Sequence, residues 1–198
     1  MTVGRRLLHA NLTDDDFDSI YPRNIRKLAS KHWTPISVAR DASAFLVNTP
    51  GTKVLDIGSG AGKFCMIGSL HTAGDFTGIE QRLELVNLSI KLTTLYSLNN
   101  VTFINTNITS VDLTRYDAFY IYNSFFENID AHDRIDNTVL VNSSLYNSYS
   151  MYMKRQLTDL PINTRLATYY TATTMIPENF KLVESCYDGN LSLWEKIA

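Results

Sequence analysis

Apolar and polar positions change rhythm along this chain at Lys53. Beyond it, short apolar runs at residues 53–57, 76–80, 101–104, 117–122 and 165–171 are each closed by glycine or polar residues and separated by segments of helical length. That alternation predicts a parallel sheet with crossover helices. Leu85, Leu88, Leu92 and Leu95 recur at three-to-four spacing between the second and third runs, the period of a helix covering one face of a sheet. Leu145, Tyr149, Tyr152 and Met153 repeat that period between the fourth and fifth, and Tyr146, Tyr149 and Tyr152 read as its packing face. Residues 180–187 and 191–197 are strand-like runs separated only by Asp188-Gly189-Asn190. So short a gap holds no helix, so these runs are expected to pair antiparallel as a hairpin.

Before Lys53 the signals are weaker. Thr34-Pro35 has the chemistry of a helix start, an oxygen at the cap and a ring that needs no amide partner. Ile36, Ala39, Ala42, Phe45 and Leu46 follow near one face, and Pro50-Gly51 ends the segment. Residues 11–31, polar and punctuated by Tyr21-Pro22, are expected to form short helical turns lying on the main domain. The expected organisation is one domain over 34–198 behind an N-terminal helical extension at 1–33.

Composition narrows the setting. A chain of 198 residues that is 44% hydrophobic can bury one good core. Its 18 Lys and Arg against 20 Asp and Glu leave a formal charge of −2. With no basic block of the kind that neutralises a phosphate backbone, a nucleic-acid partner is not favoured. Cys65 and Cys186 lie far apart without metal-ligand spacing and read as buried thiols. Few apolar residues stand at the start, and no stretch nears the roughly 20 that span a bilayer, so a cytoplasmic protein without membrane contact is expected.

The densest chemical signal is Val54-Leu55-Asp56-Ile57-Gly58-Ser59-Gly60-Ala61-Gly62-Lys63-Phe64, an apolar strand running into a glycine-rich turn and then a helix. Such a turn needs positive φ and lets a ligand approach the backbone. A dinucleotide fingerprint would place a third small residue where Lys63 stands, so the pyrophosphate pattern is broken. Asp56 points the same way, because a carboxylate repels a pyrophosphate and attracts an ammonium group. The loop therefore suits a cationic nucleoside carrying an amino acid.

In this motif the chain resembles the class I, seven-strand S-adenosylmethionine-dependent methyltransferases, and the resemblance extends from about Thr34 to the C-terminus. It implies a Rossmann-like three-layer α/β/α sandwich, with a mostly parallel seven-stranded sheet and an antiparallel C-terminal hairpin strand. It also implies S-adenosylmethionine as cofactor, with Asp56, Gly58, Ser59, Gly60 and Gly62 in the loop that holds it. Glu80, in Thr77-Gly78-Ile79-Glu80, sits where the family has an acidic residue on the ribose hydroxyls, with Gln81 beside it. Asn107 sits where a side chain accepts from the adenine amino group, with Asn105 as the alternative contact.

Ligands in open parallel sheets bind beyond the carboxyl ends of the strands, which brings Asn123-Ser124-Phe125-Phe126 to the transferred methyl group. This stretch is similar to the Asn/Asp-Pro-Pro-aromatic motif of amino-directed methyltransferases and to the Asn-Asn-Phe of seven-strand histone-lysine methyltransferases, with Ser124 as the departure. The resemblance implies Asn123 as the catalytic and cofactor contact and Phe125 and Phe126 as substrate contacts; both aromatics also suit a cap on the core. The acceptor is then an amine of a protein side chain or a small molecule. In the polar loop 128–137, which carries Asp130, Asp133, Arg134 and Asp136, His132 is a candidate base, and His32-Trp33 a candidate entrance wall or core element. Competing readings are a non-catalytic S-adenosylmethionine-binding scaffold and an NAD(P)-binding oxidoreductase.

Overall fold

A computed structural model describes residues 12–130 and 134–198. Its helices are α1 (Asp14–Asp18), α2 (Arg23–Arg26), α3 (Ala29–His32), α4 (Ile36–Leu46), α5 (Lys63–His71), α6 (Leu83–Tyr96) and α7 (Ser143–Thr158). The strands are β1 (Lys53–Ile57), β2 (Asp75–Glu80), β3 (Val101–Asn105), β4 (Ala118–Tyr122), β5 (Arg165–Tyr169), β6 (Phe180–Cys186) and β7 (Leu191–Lys196). They form one 7-stranded sheet in the order β3-β2-β1-β4-β5-β7-β6. β1 to β5 run parallel, and β7 enters antiparallel between β5 and β6. The parallel sheet with crossover helices and the terminal hairpin are those the sequence pattern predicts, and the seven-stranded sandwich is the one the resemblance implies.

Strand alternation divides the core between the two faces of the sheet. Val54, Phe76, Ala118, Tyr120, Ala167 and Leu193 meet α4, α5 and α6 on one face, while Leu55, Ile57, Phe119, Ile121 and Leu166 meet Met153 and Leu157 of α7 on the other. β1 is thus buried on both sides, which explains why Val54, Leu55 and Ile57 are all apolar and makes Asp56 the exception.

Local boundaries differ from expectation for identifiable reasons. β5 stops at Tyr169 because Tyr170 turns to a φ of 47°, so the run does not reach residue 171. Thr34 does not cap α4, whose cap position is Pro35 without a side-chain bond; the Thr34 hydroxyl instead shares a buried 2.9 Å hydrogen bond with the Tyr120 hydroxyl. The first amide of α4 donates to Asp14 at 3.0 Å. Cys65 is buried, but Cys186, the last residue of the edge strand β6, is partly exposed.

Part of the N-terminal segment is packed into the core. Phe17 and Tyr21 are fully buried with the residues of β1 and α5, and the Tyr21 hydroxyl donates to the Ala61 carbonyl at 3.1 Å. Lys63 opens α5, where a positive charge opposes the helix dipole. It is buried there between Asp14 at 2.6 Å and Asp18 at 2.8 Å. Replacing Lys63 by Met strands the carboxylate of Asp18 and is expected to cost about 3 kcal/mol in urea unfolding. The triple variant K63M/D14N/D18N is expected to recover most of that loss.

Candidate functional site

The glycine turn follows β1 directly and is fastened to the end of β2. The Gly58 and Ser59 amides both donate to the Ile79 carbonyl, at 3.0 and 2.9 Å, and the Gly60 amide donates to Glu80 Oε2 at 3.2 Å. Gly60 has a φ of 54°, and a Cβ there would lie 2.3 Å from the Trp33 ring. Glycine is therefore required at this position by the close seat of Trp33 as well as by backbone conformation. Trp33 is both a core residue and a wall of the cleft.

That cleft lies at the carboxyl ends of β1, β2 and β4. Of the residues singled out in the sequence, Gly58, Gly60, Glu80, Gln81, Asn123, Phe125 and Phe126 line it together. Asp56 and Ser59 line a small adjoining recess with His32, Thr34 and Tyr120. Gly62 borders neither cavity and packs against Phe103.

Asn107 is also outside the cleft. Its carbonyl caps a 3-10 turn, accepting the Thr109 amide at 3.0 Å and hydroxyl at 2.9 Å, and its amide donates to Gln81 and Tyr149 at 3.1 and 2.7 Å. Both lone pairs are in use, so the carboxamide has no acceptor left for an adenine amino group. The Asn105 side-chain nitrogen donates to the main-chain oxygens of Glu80 and Gln81 at 3.0 and 2.8 Å, bonds that do not involve its carbonyl oxygen, and Asn105 does not line the cleft. Thr106 and Ile108 line the cleft at this end instead.

Two buried carboxylates dominate the electrostatics. Burial pushes Asp56 up to about 7, against the lowering effect of the Cys65 thiol, which donates to it at 3.4 Å; the charge of Glu80 adds to the rise. Burial also raises Glu80, opposed by the amides of Arg82 and Gly60 and by the Arg82 guanidinium. Glu80 Oε1 accepts the Arg82 amide at 2.9 Å and lies 3.6 Å from the Arg82 guanidinium, and Oε2 accepts the Gly60 amide at 3.2 Å. Among the described residues the Ser59 hydroxyl is buried without a partner. A polar ligand with hydroxyl and ammonium groups fits the chemistry of these side chains.

At the end of β4, Asn123 adopts a φ of 46°, a strained conformation of the kind that gathers at functional sites. Its amide donates to the Thr171 hydroxyl at 3.2 Å, and among the described residues nothing bonds its carboxamide. The Ser124 hydroxyl donates to the Ile57 carbonyl, tying this segment to β1. Phe125 is buried and stacks on Tyr149 at 5.1 Å, whereas Phe126 is 37% exposed. Tyr122 lines both cavities, and its hydroxyl donates to the Lys31 carbonyl at 2.9 Å. His132 and Asp133 lie outside the described residues.

Sequence reasoning missed Arg82, Tyr122 and Glu127. Arg82 is buried on the cleft wall and contacts Glu80, Glu127 and Asp136. The available signal was an arginine at the N-cap of α6, where Ser, Thr, Asp or Asn is the usual choice.

The state of Asp56 is testable in the ligand-free chain. Its folded value near 7 exceeds the ordinary 3.8, so the folded state holds this proton more tightly than the unfolded state. Stability from this group is full below pH 3.8 and falls as pH rises to about 7, then levels. Thermal melts across that range are expected to show the decline in the wild type and a shallower one in D56N; identical pH slopes would contradict a buried, proton-holding Asp56.

The methyltransferase-domain family matches residues 48–159, more than half the chain. No curated protein matches significantly. Among solved structures, an RNA methyltransferase from Salinibacter ruber, in complex with S-adenosylhomocysteine, superposes with a TM-score of 0.61 at 15% identity, covering 83% of this chain and 92% of that one. TrmN from Thermus thermophilus gives 0.61 at 17% identity over 88% of this chain, which spans 53% of its length. An S-adenosylmethionine-dependent O-methyltransferase from Thermotoga maritima gives 0.59 at 15% identity, covering 89% and 72%. These identities speak to fold, and the family match speaks to kinship: the chain has the Rossmann-like fold of these methyltransferases and belongs to the methyltransferase-domain family.

Proposed function

We propose that the cleft binds S-adenosylmethionine with its ribose on Glu80 and its amino-acid end towards Asp56 and Ser59, and that it methylates an amine held at Asn123. The observation that carries this reading is one cavity lined at once by Gly58, Gly60, Glu80, Gln81 and Asn123. When bound, S-adenosylmethionine supplies a methyl group activated by sulfonium charge, so the chain's own task is alignment and exclusion of water.

Each residue has a part in that task. Glu80 presents its carboxylate to the cleft, the acceptor chemistry a vicinal diol needs. Asp56 becomes anionic when an ammonium group offsets its burial, and the Ser59 hydroxyl gains the partner it lacks. Gln81, Ile79, Ile108 and Phe125 enclose the base end of the cleft. Asn123 faces the cavity with an uncommitted carboxamide, whose carbonyl can accept amine protons and leave the nitrogen lone pair aimed at the methyl group. Phe126 and Tyr122 flank the approach.

Full-length protein with methyl-labelled S-adenosylmethionine and fractionated cell extract is expected to label an amine in the small-molecule or protein fraction. Label found solely in RNA, or on oxygen, would overturn the acceptor assignment. Cofactor binding with no fraction labelled would favour a non-catalytic scaffold. N123A is expected to lower labelling about 100-fold while changing the Kd for S-adenosylhomocysteine by less than about threefold. Equal labelling would remove Asn123 from the reaction.

A further inference from the structure

Arg82 breaks a local rule. It occupies the N-cap of α6, a helix of 14 residues, makes no capping bond with its side chain, and brings a positive charge to the positive end of the helix dipole. It is only 8% exposed. What it gains there is a set of three carboxylates from two parts of the chain. Nη1 lies 3.6 Å from Glu80 Oε1, Nε lies 3.1 Å from Asp136, and Nη2 bonds Glu127. Glu80 belongs to the cofactor side, and Glu127 sits in the 3-10 turn Phe126–Asn128 that continues the acceptor segment.

The far carboxylates are themselves fixed. Glu127 Oε1 accepts the Ile135 amide at 3.3 Å, and Asp136 Oδ1 accepts the Thr138 amide and hydroxyl at 2.8 and 2.7 Å. A planar guanidinium with five donors can serve groups on both sides at once, and an ammonium cannot reproduce that fork. We propose that Arg82 is a positioning residue that couples Glu80 to the acceptor segment 123–130, so that filling the cofactor site and ordering the acceptor segment are one event. The inference rests on the cofactor reading above. A ligand that needs Glu80 fixed and ionised binds the clamped arrangement more tightly, and by reciprocity it tightens the clamp.

The test uses the full chain with S-adenosylhomocysteine as probe, reading hydrogen exchange of residues 123–130 alongside calorimetric Kd. In the wild type the probe is expected to slow exchange there roughly fivefold or more. In E127Q/D136N, which leaves Arg82 and Glu80 in place, the slowing is expected to vanish and the Kd to weaken by a similar factor. R82M is expected to do the same, and R82M/E127Q/D136N to be no weaker than R82M, because all three act through one link. R82K serves if R82M does not fold, and the same non-additivity is expected of it. Unchanged protection and affinity in E127Q/D136N, or losses that add in the triple variant, would overturn the coupling. A wild type that binds no probe removes the cofactor reading and this inference together, whereas tight binding with an uncoupled segment removes this inference alone.

Discussion

Asp56 and Glu80 are carboxylates held out of water at the ends of neighbouring parallel strands, and much of the surrounding chain is arranged around them. Burying an ionised carboxylate without partners is costly enough that the group keeps its proton instead. Glu80 is supplied with partners from within the chain, namely the amides of Gly60 and Arg82 and the Arg82 guanidinium. Among the described residues Asp56 is supplied with less, a single thiol donor, and its proton affinity rises to about 7. Both carboxylates gain proton affinity through burial, but their partners differ before any ligand arrives. One is braced as an acceptor, and the other is short of a positive charge.

The same constraint explains how the N-terminal segment is built. Water must be kept from these groups, and Trp33, Tyr21 and Phe17 close the side of the glycine turn that the sheet leaves open. Asp14 links this cover to two helices, accepting the first amide of α4 and pairing with Lys63 at the start of α5. The cover is thus fastened by polar contacts at helix ends, where unpaired amides make such contacts favourable.

Much of this was legible in the sequence, and the reason is periodicity. Buried strands and amphipathic helices leave repeating patterns, so the sheet, α6, α7 and the Asp188-Gly189-Asn190 hairpin followed from spacing. The glycine turn and Glu80 were readable because a short motif lies within one strand-turn-helix unit. Contacts between polar residues distant in sequence leave no such trace. The clasp of Arg82 on Glu127 and Asp136, the seat of Trp33 on Gly60 and the pairing of Lys63 with Asp14 join segments that look like ordinary solvated charge or loop. Asn107 illustrates the converse, since its position fitted a ligand contact while a local cap and Tyr149 had already taken its hydrogen-bonding capacity.

The central claim is that Asp56 awaits a cationic amino-acid end while Glu80 holds the nucleoside. Calorimetric titration of S-adenosylmethionine into the full chain, repeated at pH values on both sides of 7, addresses it directly. Affinity is expected to rise with pH up to about 7 and then level off, because below that point the ligand's ammonium group must displace the proton on Asp56. D56N is expected to bind more weakly and without that rise. Absence of binding, or an affinity indifferent both to pH and to D56N, would contradict the account.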